Sequence, residues 1–261
     1  MSEENFERLD KKLVELGLVA TRSRAQQVIG DGKVSVAGKV ITKTSYKVTS
    51  SDDIQLNESS EEVGRGFHKI AGALEAFDVV IENRLVADVG ASTGGFTQFC
   101  LNHKASKVFA IDVGHGQLAP SLVSDRRVIN LEGTNVRELY KLDEAVDLCV
   151  VDLSFISLNL IWKNLVDISK DDAEMIVLFK PQFEVGRDGI GKKGIVKDNS
   201  YVLRAVEEMK IQCEAMGLGI LGFKPCVIKG RKSGNQEYFL YLKKNAKSLL
   251  SLEELNKEVG E

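Results

Sequence analysis

The chain has no CxxC pair: Cys100, Cys149, Cys213 and Cys226 are scattered, and Cys149 and Cys226 lie in apolar runs. They read as buried thiols of a reducing compartment. His68, His103 and His115 share no metal-ligand spacing with one another or with the cysteines, so no metal is expected. No apolar run approaches the roughly 18 residues of a membrane-spanning helix, and the opening MSEENFERLDKK is charged. A soluble, cytoplasmic protein without a membrane partner is expected. A positive excess is missing as well, since the formal net charge is -3. Any nucleic-acid footprint must therefore be local, carried by clusters on one face.

With 43% hydrophobic residues in 261, the chain suffices for one full α/β domain and a smaller module. Its central pattern is four apolar runs that each end on an ionisable residue: LVAD at Asp88, VFAID at Asp112, LCVVD at Asp152 and MIVLFK at Lys180. Ligands of an open parallel sheet bind outside the carboxyl ends of its strands, so these groups are expected to line one crevice. The polar, acidic stretch 57–64 (NESSEEVG) reads as a linker.

Ahead of it, Leu9, Leu13 and Leu16 recur at helical spacing, Gly17 offers a stop, and Thr21 or Ser23 can cap a second helix through Ala25, Val28 and Ile29. KVSVAGKV then alternates around an Ala37-Gly38 turn, and ITKTSYKV and DDIQL add strand-like pieces. The run RLDKKLVELGLVATRSRAQQVIGDGKVSVAGKV resembles the helices and hairpin of the S-four RNA-binding fold. That resemblance implies that Arg22, Arg24, Gln27 and Lys33 face phosphate and RNA shape.

The turn after the first central strand, DVGASTGGF, places Gly90, Gly94 and Gly95 between Asp88 and Phe96. Glycine lets backbone approach a ligand closely. Dinucleotide and S-adenosylmethionine enzymes both use such a turn, and Asp112, about 20 residues on, suits ribose hydroxyls in either class. The order of groups decides: an acidic Asp88 before GxSxGG, rather than GxGxxG, resembles the methyltransferase turn and suits a cationic amino-acid end. Ser92 belongs to the same turn, and Asn135 of EGTNVREL stands where such folds place a polar partner for adenine.

RGFHK, DVGASTGGF, AIDVGHGQL, VVDLSFISL, LFKPQFE and NQEYFLYL together resemble the FtsJ-like ribose methyltransferases and, within them, the TlyA family, historically labelled haemolysins. The resemblance implies a Lys, Asp, Lys, Glu tetrad at Lys69, Asp152, Lys180 and Glu237. Methylating a 2'-hydroxyl requires moving a proton off a weak acid, which a positioned amine and carboxylates assist. Lys180 takes the central role, accepting that proton or stabilising the developing alkoxide. Basic loops then offer a path for RNA: Arg187, Lys192, Lys193 and Lys197 in VGRDGIGKKGIVKD, Arg231 and Lys232 in KGRKSGNQE, with Arg65 before the tetrad lysine.

The expected fold is α/β, a Rossmann-like S-adenosylmethionine-dependent methyltransferase sheet with helices on both faces, preceded by a small α+β S-four RNA-binding domain. Expected boundaries are 1–56 for the S-four domain, 57–64 for the linker, 65–245 for the FtsJ-like domain and 246–261 for a helical tail. The function implied is methylation of ribosomal RNA, as free RNA or in ribosomal subunits, at a cytidine 2'-hydroxyl. Two alternatives stand beside it. A membrane-active haemolysin conflicts with the lack of apolar spans and the 7% aromatic content. A non-catalytic RNA-binding or ribosome assembly factor conflicts with the complete tetrad.

Overall fold

A computed structural model describes residues 6–19, 21–30, 32–56, 66–227 and 234–260. The chain forms two compact units, Met1–Arg65 and Gly66–Glu261; the stretch read as a linker lies outside the described residues.

In the first unit β1 (Glu7–Arg8), α1 (Leu9–Glu15), α2 (Arg22–Gly30), β2 (Val34–Val36), β3 (Lys39–Val40), β4 (Lys47–Val48) and β5 (Ile54–Leu56) follow in order. Strand β1 pairs with β4, and β2 lies between β3 and β5, all antiparallel. Helical spacing puts Leu9 and Leu13 in one small core with Ala25, Val28 and Ile29. Leu16, expected on the same face, falls beyond the end of α1 and is 49% exposed. Thr21 Oγ1 accepts a bond from Arg24 N at 3.2 Å at the start of α2. Ala37 and Gly38 both adopt positive φ, 48° and 75°, as a two-residue hairpin between right-twisted strands requires.

Beneath α2 lies a fully buried carboxylate, Asp10. It accepts from Arg8 Nε and Nη2 at 2.9 Å each, and from Arg22 Nε and Gln26 Nε2 at 3.0 Å each. The Arg8 bonds foremost, outweighing burial, hold this carboxyl well below the usual range.

The second unit runs α3 (Gly66–Phe77), β6 (Leu85–Val89), α4 (Gly95–Asn102), β7 (Lys107–Asp112), α5 (Pro120–Val123), β8 (Val128–Glu132), β9 (Val146–Val151), α6 (Trp162–Ile168), β10 (Ser169–Phe179), α7 (Pro181–Glu184), α8 (Asn199–Ala215), β11 (Leu218–Pro225), β12 (Tyr238–Lys244) and α9 (Leu252–Val259). Its seven-stranded sheet has the order β11-β12-β10-β9-β6-β7-β8. Five neighbours from β10 to β8 are parallel, and β12 runs antiparallel between β10 and β11. The apolar runs reflect burial on both faces of a parallel sheet: every residue from Leu148 to Val151 and from Met175 to Phe179 is at most 1% exposed.

Strand β6 comes first among these strands yet sits centrally. The chain proceeds from it to β7 and β8 on one side, then to β9 and β10 on the other. That reversal opens a crevice between β6 and β9 at the carboxyl ends. Helix α9 starts with a Ser251–Glu254 capping box, and its Leu255 and Val259 join the core with Val206 and Met209 of α8. Among the described residues no helix is long and apolar enough to cross a membrane.

Candidate active site

The strand ends carry the charged groups to one edge. Asp112 closes β7, Asp152 follows β9, Lys180 follows β10, and Asp88 is the penultimate residue of β6. Glu237 immediately precedes β12, whose reversed direction puts its beginning beside the end of β10; Tyr238 pairs with Phe179. Lys69 comes from the first turn of α3.

These elements bring Lys69, Asp152, Lys180 and Glu237 together. Asp152 bridges both lysines, with Oδ1 2.5 Å from Lys180 Nζ and Oδ2 4.0 Å from Lys69 Nζ. Lys69 Nζ also donates to Glu237 Oε2 at 2.7 Å. The Lys180, Lys69 and Glu237 side chains are nearly buried, at 8%, 12% and 6% exposure. Buried charges persist only when paired and hydrogen-bonded, and here each lysine has a carboxylate. Desolvation pulls the Lys69 pKa down, but Asp152 and then Glu237 outweigh it and hold the amine above its ordinary range. Lys69 is therefore a fixed positive charge. Ser154 Oγ supplies a second partner for Lys180, accepting from Nζ at 2.8 Å. No spacing in the sequence pointed to this serine.

Beside the tetrad, at the switch between β6 and β9, is a cavity of about 360 Å³ whose walls include Gly90, Ser92, Asp112, Gln117, Asp152 and Phe155. Asp152 thus belongs to both the cavity and the lysine pair. The Asp112 carboxylate is oriented by two main-chain donors, Ser92 N at 2.8 Å and Gly114 N at 2.7 Å. A carboxylate has about four acceptor positions, so it keeps capacity for ligand hydroxyls. Thr134 and Val136 line the cavity, whereas Asn135 between them caps a short helical turn, accepting from Arg137 N and donating to Glu138 Oε1, both at 3.1 Å. Phe96 and Gly95 are buried in the first turn of α4, with Gly94 as its cap at φ 96°.

Asp88 lies beneath the glycine turn, fully buried. Its Oδ2 accepts from Thr97 Oγ1 at 2.6 Å, and its Oδ1 has no partner among the described residues. Burial raises its pKa to about 7, with Thr97 opposing the shift. A buried carboxylate oxygen without a donor is costly, and Asp88 lies behind the cavity wall rather than in it.

A model of the FtsJ-like methyltransferase family matches residues 62–244, and one of the S4 domain matches residues 7–54. Over 256 residues the chain is 41% identical to the 16S/23S rRNA (cytidine-2'-O)-methyltransferase TlyA of Mycobacterium tuberculosis, covering 97% of this chain and 95% of that protein. The chain belongs to the TlyA family of FtsJ-like methyltransferases. Another relative is Hemolysin A of Brachyspira hyodysenteriae, 37% identical over 90% of this chain and 98% of its own. A solved structure named as a hemolysin, from Streptococcus thermophilus, superposes with a TM-score of 0.76 at 33% identity, covering 97% of this chain and 94% of the other.

In this TlyA-family chain the basic residues expected to meet RNA divide by setting. Arg187, Lys192 and Lys193 are exposed on short turns after α7, as is Lys197 beyond them. The turns are anchored by the buried Asn235, which accepts from Val196 N and donates to Gly194 O, both at 2.9 Å. In the S4 unit Arg22 keeps 51% of its side chain exposed while its Nε serves Asp10. Arg24 and Lys33 are half-buried. Arg65, Arg231, Lys232 and the side chain of Gln27 lie outside the described residues.

Proposed function

We propose that this protein transfers a methyl group from S-adenosylmethionine to the 2'-hydroxyl of a cytidine in ribosomal RNA. The observation that carries the reading is the bridge made by Asp152, which touches two nearly buried lysines and lines the cavity at the sheet's switch point. TlyA of M. tuberculosis, 41% identical, is named for this reaction.

The residues present suit the methyl donor. Asp112 accepts from ribose hydroxyls, and the unpartnered oxygen of Asp88 attracts the cationic amino-acid end. When bound, S-adenosylmethionine supplies an electrophilic methyl carbon on a sulfonium. Asp152 and Ser154 occupy two of the three donor directions of a Lys180 ammonium, leaving the third for the ribose oxygen. As an ammonium, Lys180 donates its third N–H to that oxygen and stabilises the charge left there when solvent takes the proton; as a neutral amine, it turns its lone pair to the hydroxyl and takes the proton itself. Lys69, pinned by Glu237, keeps the bridging carboxylate in place. The S4 unit and the basic turns supply phosphate contacts, which add affinity without reading bases. The 91% exposed ring of Phe155 beside the cavity offers a stacking face to a nucleotide.

Incubation of the protein with labelled S-adenosylmethionine and either ribosomal subunits or free ribosomal RNA, followed by mapping of ribose methylation, tests the proposal. A 2'-O-methylcytidine at one position is expected. Methyl transfer to bases alone, or none to any RNA, would sink it.

The Asp88 carboxyl makes cofactor binding depend on pH. It is protonated below about 7 and ionised above, and only the ionised form attracts a cationic ligand. Affinity for S-adenosylmethionine is therefore expected to fall as pH drops through that value, approaching about tenfold per pH unit below it. Calorimetry on Asp88→Asn should show binding weaker by about tenfold or more at pH 8, with this pH slope removed. A slope that survives in the variant assigns the titration to another group.

A further inference from the structure

The segment after Asp152 contains a second cavity that the methyl-transfer reading does not use. Phe155 sits in the left-handed region at φ 65°, a conformation that bulky side chains adopt only when their surroundings enforce it. Two residues on, Glu184 at the end of α7 holds the same segment: its Oε2 accepts from Ser157 Oγ at 2.8 Å and its Oε1 from Leu158 N at 3.0 Å. Two sequence motifs, DLSFISL and KPQFE, are thereby tied together. The ring of Phe155 then stands 5.3 Å from that of Phe183, inclined at 49°.

A cavity of about 280 Å³ lies between these segments, with Phe155, Phe183, Gln182 and Arg187 in its walls. Gln182 Oε1 is buried and has no hydrogen-bond partner among the described residues. The two rings are in contact along one wall, and the unpaired oxygen lies just behind the cavity surface; a turn of the Gln182 side chain presents it to a planar ligand that packs on the rings and brings its own donor. Gln182 is two residues beyond Lys180, and Phe155 lines both this cavity and the one beside Asp152.

We infer that this cavity takes the base of the target nucleotide, and that Gln182 Oε1 accepts a hydrogen bond from its exocyclic amino group, selecting cytosine over uracil. The inference rests on the ribose methyl-transfer reading. Cytosine presents an N4 amino donor where uracil presents an oxygen. With uracil two acceptors face each other and the buried oxygen stays unpaired, the arrangement by which a polar site rejects an analogue lacking the matching group. Arg187 at the same wall is placed for the phosphate or the carbonyl edge.

The test uses the full chain, S-adenosylmethionine and transcribed ribosomal RNA carrying the mapped target position as cytidine or as uridine. The unsubstituted protein is expected to methylate cytidine faster by about tenfold or more in kcat/KM. Gln182→Leu should bring the two rates within about twofold of each other by slowing cytidine, while S-adenosylmethionine affinity, which reports folding, stays unchanged. Gln182→Glu keeps an acceptor and should keep the cytidine preference. An undiminished preference in Gln182→Leu overturns the inference, as does equal loss on both RNAs. Either result leaves 2'-O-methylation by the unsubstituted protein standing, whereas failure of the parent reading shows as no ribose methylation on any RNA.

Discussion

Lys180→Ala is expected to lower the single-turnover rate of methyl transfer by about 10³-fold or more, within the range a positioned acid–base group contributes, while S-adenosylmethionine binds within about threefold of normal. The rate falls because Lys180 is the amine clamped between Asp152 Oδ1 and Ser154 Oγ at 2.5 and 2.8 Å, and no other described amine contacts that side of Asp152. Cofactor binding survives because the cavity walls come from the segments at the ends of β6, β7, β8 and β9 and do not include Lys180. Rapid-quench transfer of labelled methyl, paired with calorimetric titration of the cofactor, separates the two effects. Lys180→Arg sharpens the assignment: a guanidinium keeps the charge but does not give up a proton near neutral pH. Activity retained in that variant assigns Lys180 to charge stabilisation, and activity lost assigns it to proton removal. A Lys180→Ala protein with near-normal turnover would remove this residue from the mechanism.

Gly90→Ala is expected to be strongly damaging. Gly90 has φ 86°, a region that costs an L-residue roughly 1–2 kcal/mol. A Cβ there would also stand 2.5 Å from the main-chain oxygen of Asp152 and 3.0 Å from its carbonyl carbon. These are backbone atoms, and Asp152 N is already held by Val89 O at 3.0 Å, so relief requires the ends of β6 and β9 to separate. The combined cost is expected to reach about 3 kcal/mol or more, a fall in Tm of roughly 6–12 °C for a unit of this size. Displacing Asp152 should also depress kcat, since its carboxylate joins both lysines. Gly116→Ala provides the comparison: its φ is 62° with nothing within 4 Å of the added carbon, so it reports the conformational part alone. Equal melting temperatures for the two variants would remove the clash from the account.

The strand-end residues were legible because a parallel strand buried on both faces carries almost no polarity until it reaches the crevice. Asp112, Asp152 and Lys180 stand where the apolar runs stop. Lys69 and Glu237 had no such signature; they are 168 positions apart in the chain, and only resemblance to a known tetrad singled them out. Local propensity misplaced Leu16, which keeps helical spacing with Leu9 and Leu13 while the chain leaves the helix one residue earlier. Asn135, read as a partner for adenine, also caps the turn beside the cavity, a local bond that its position before a helical turn favours. Ser154 and Gln182 left no mark in the pattern because a hydrogen bond to Lys180, and a bare buried oxygen, exist only in three dimensions.

The reversed strand β12 gives the site an order of assembly. All walls of the larger cavity come from residues between Val89 and Phe155, a contiguous stretch whose strands can pair as they leave the ribosome. Lys69, made earlier, obtains its 2.7 Å partner only when the segment starting at Glu237 inserts between β10 and β11. Contacts of such long sequence separation close late. A nascent chain is therefore expected to close the cavity beside Asp152 before it forms the Lys69–Glu237 pair, so that the proposed cofactor site precedes the proposed catalytic set.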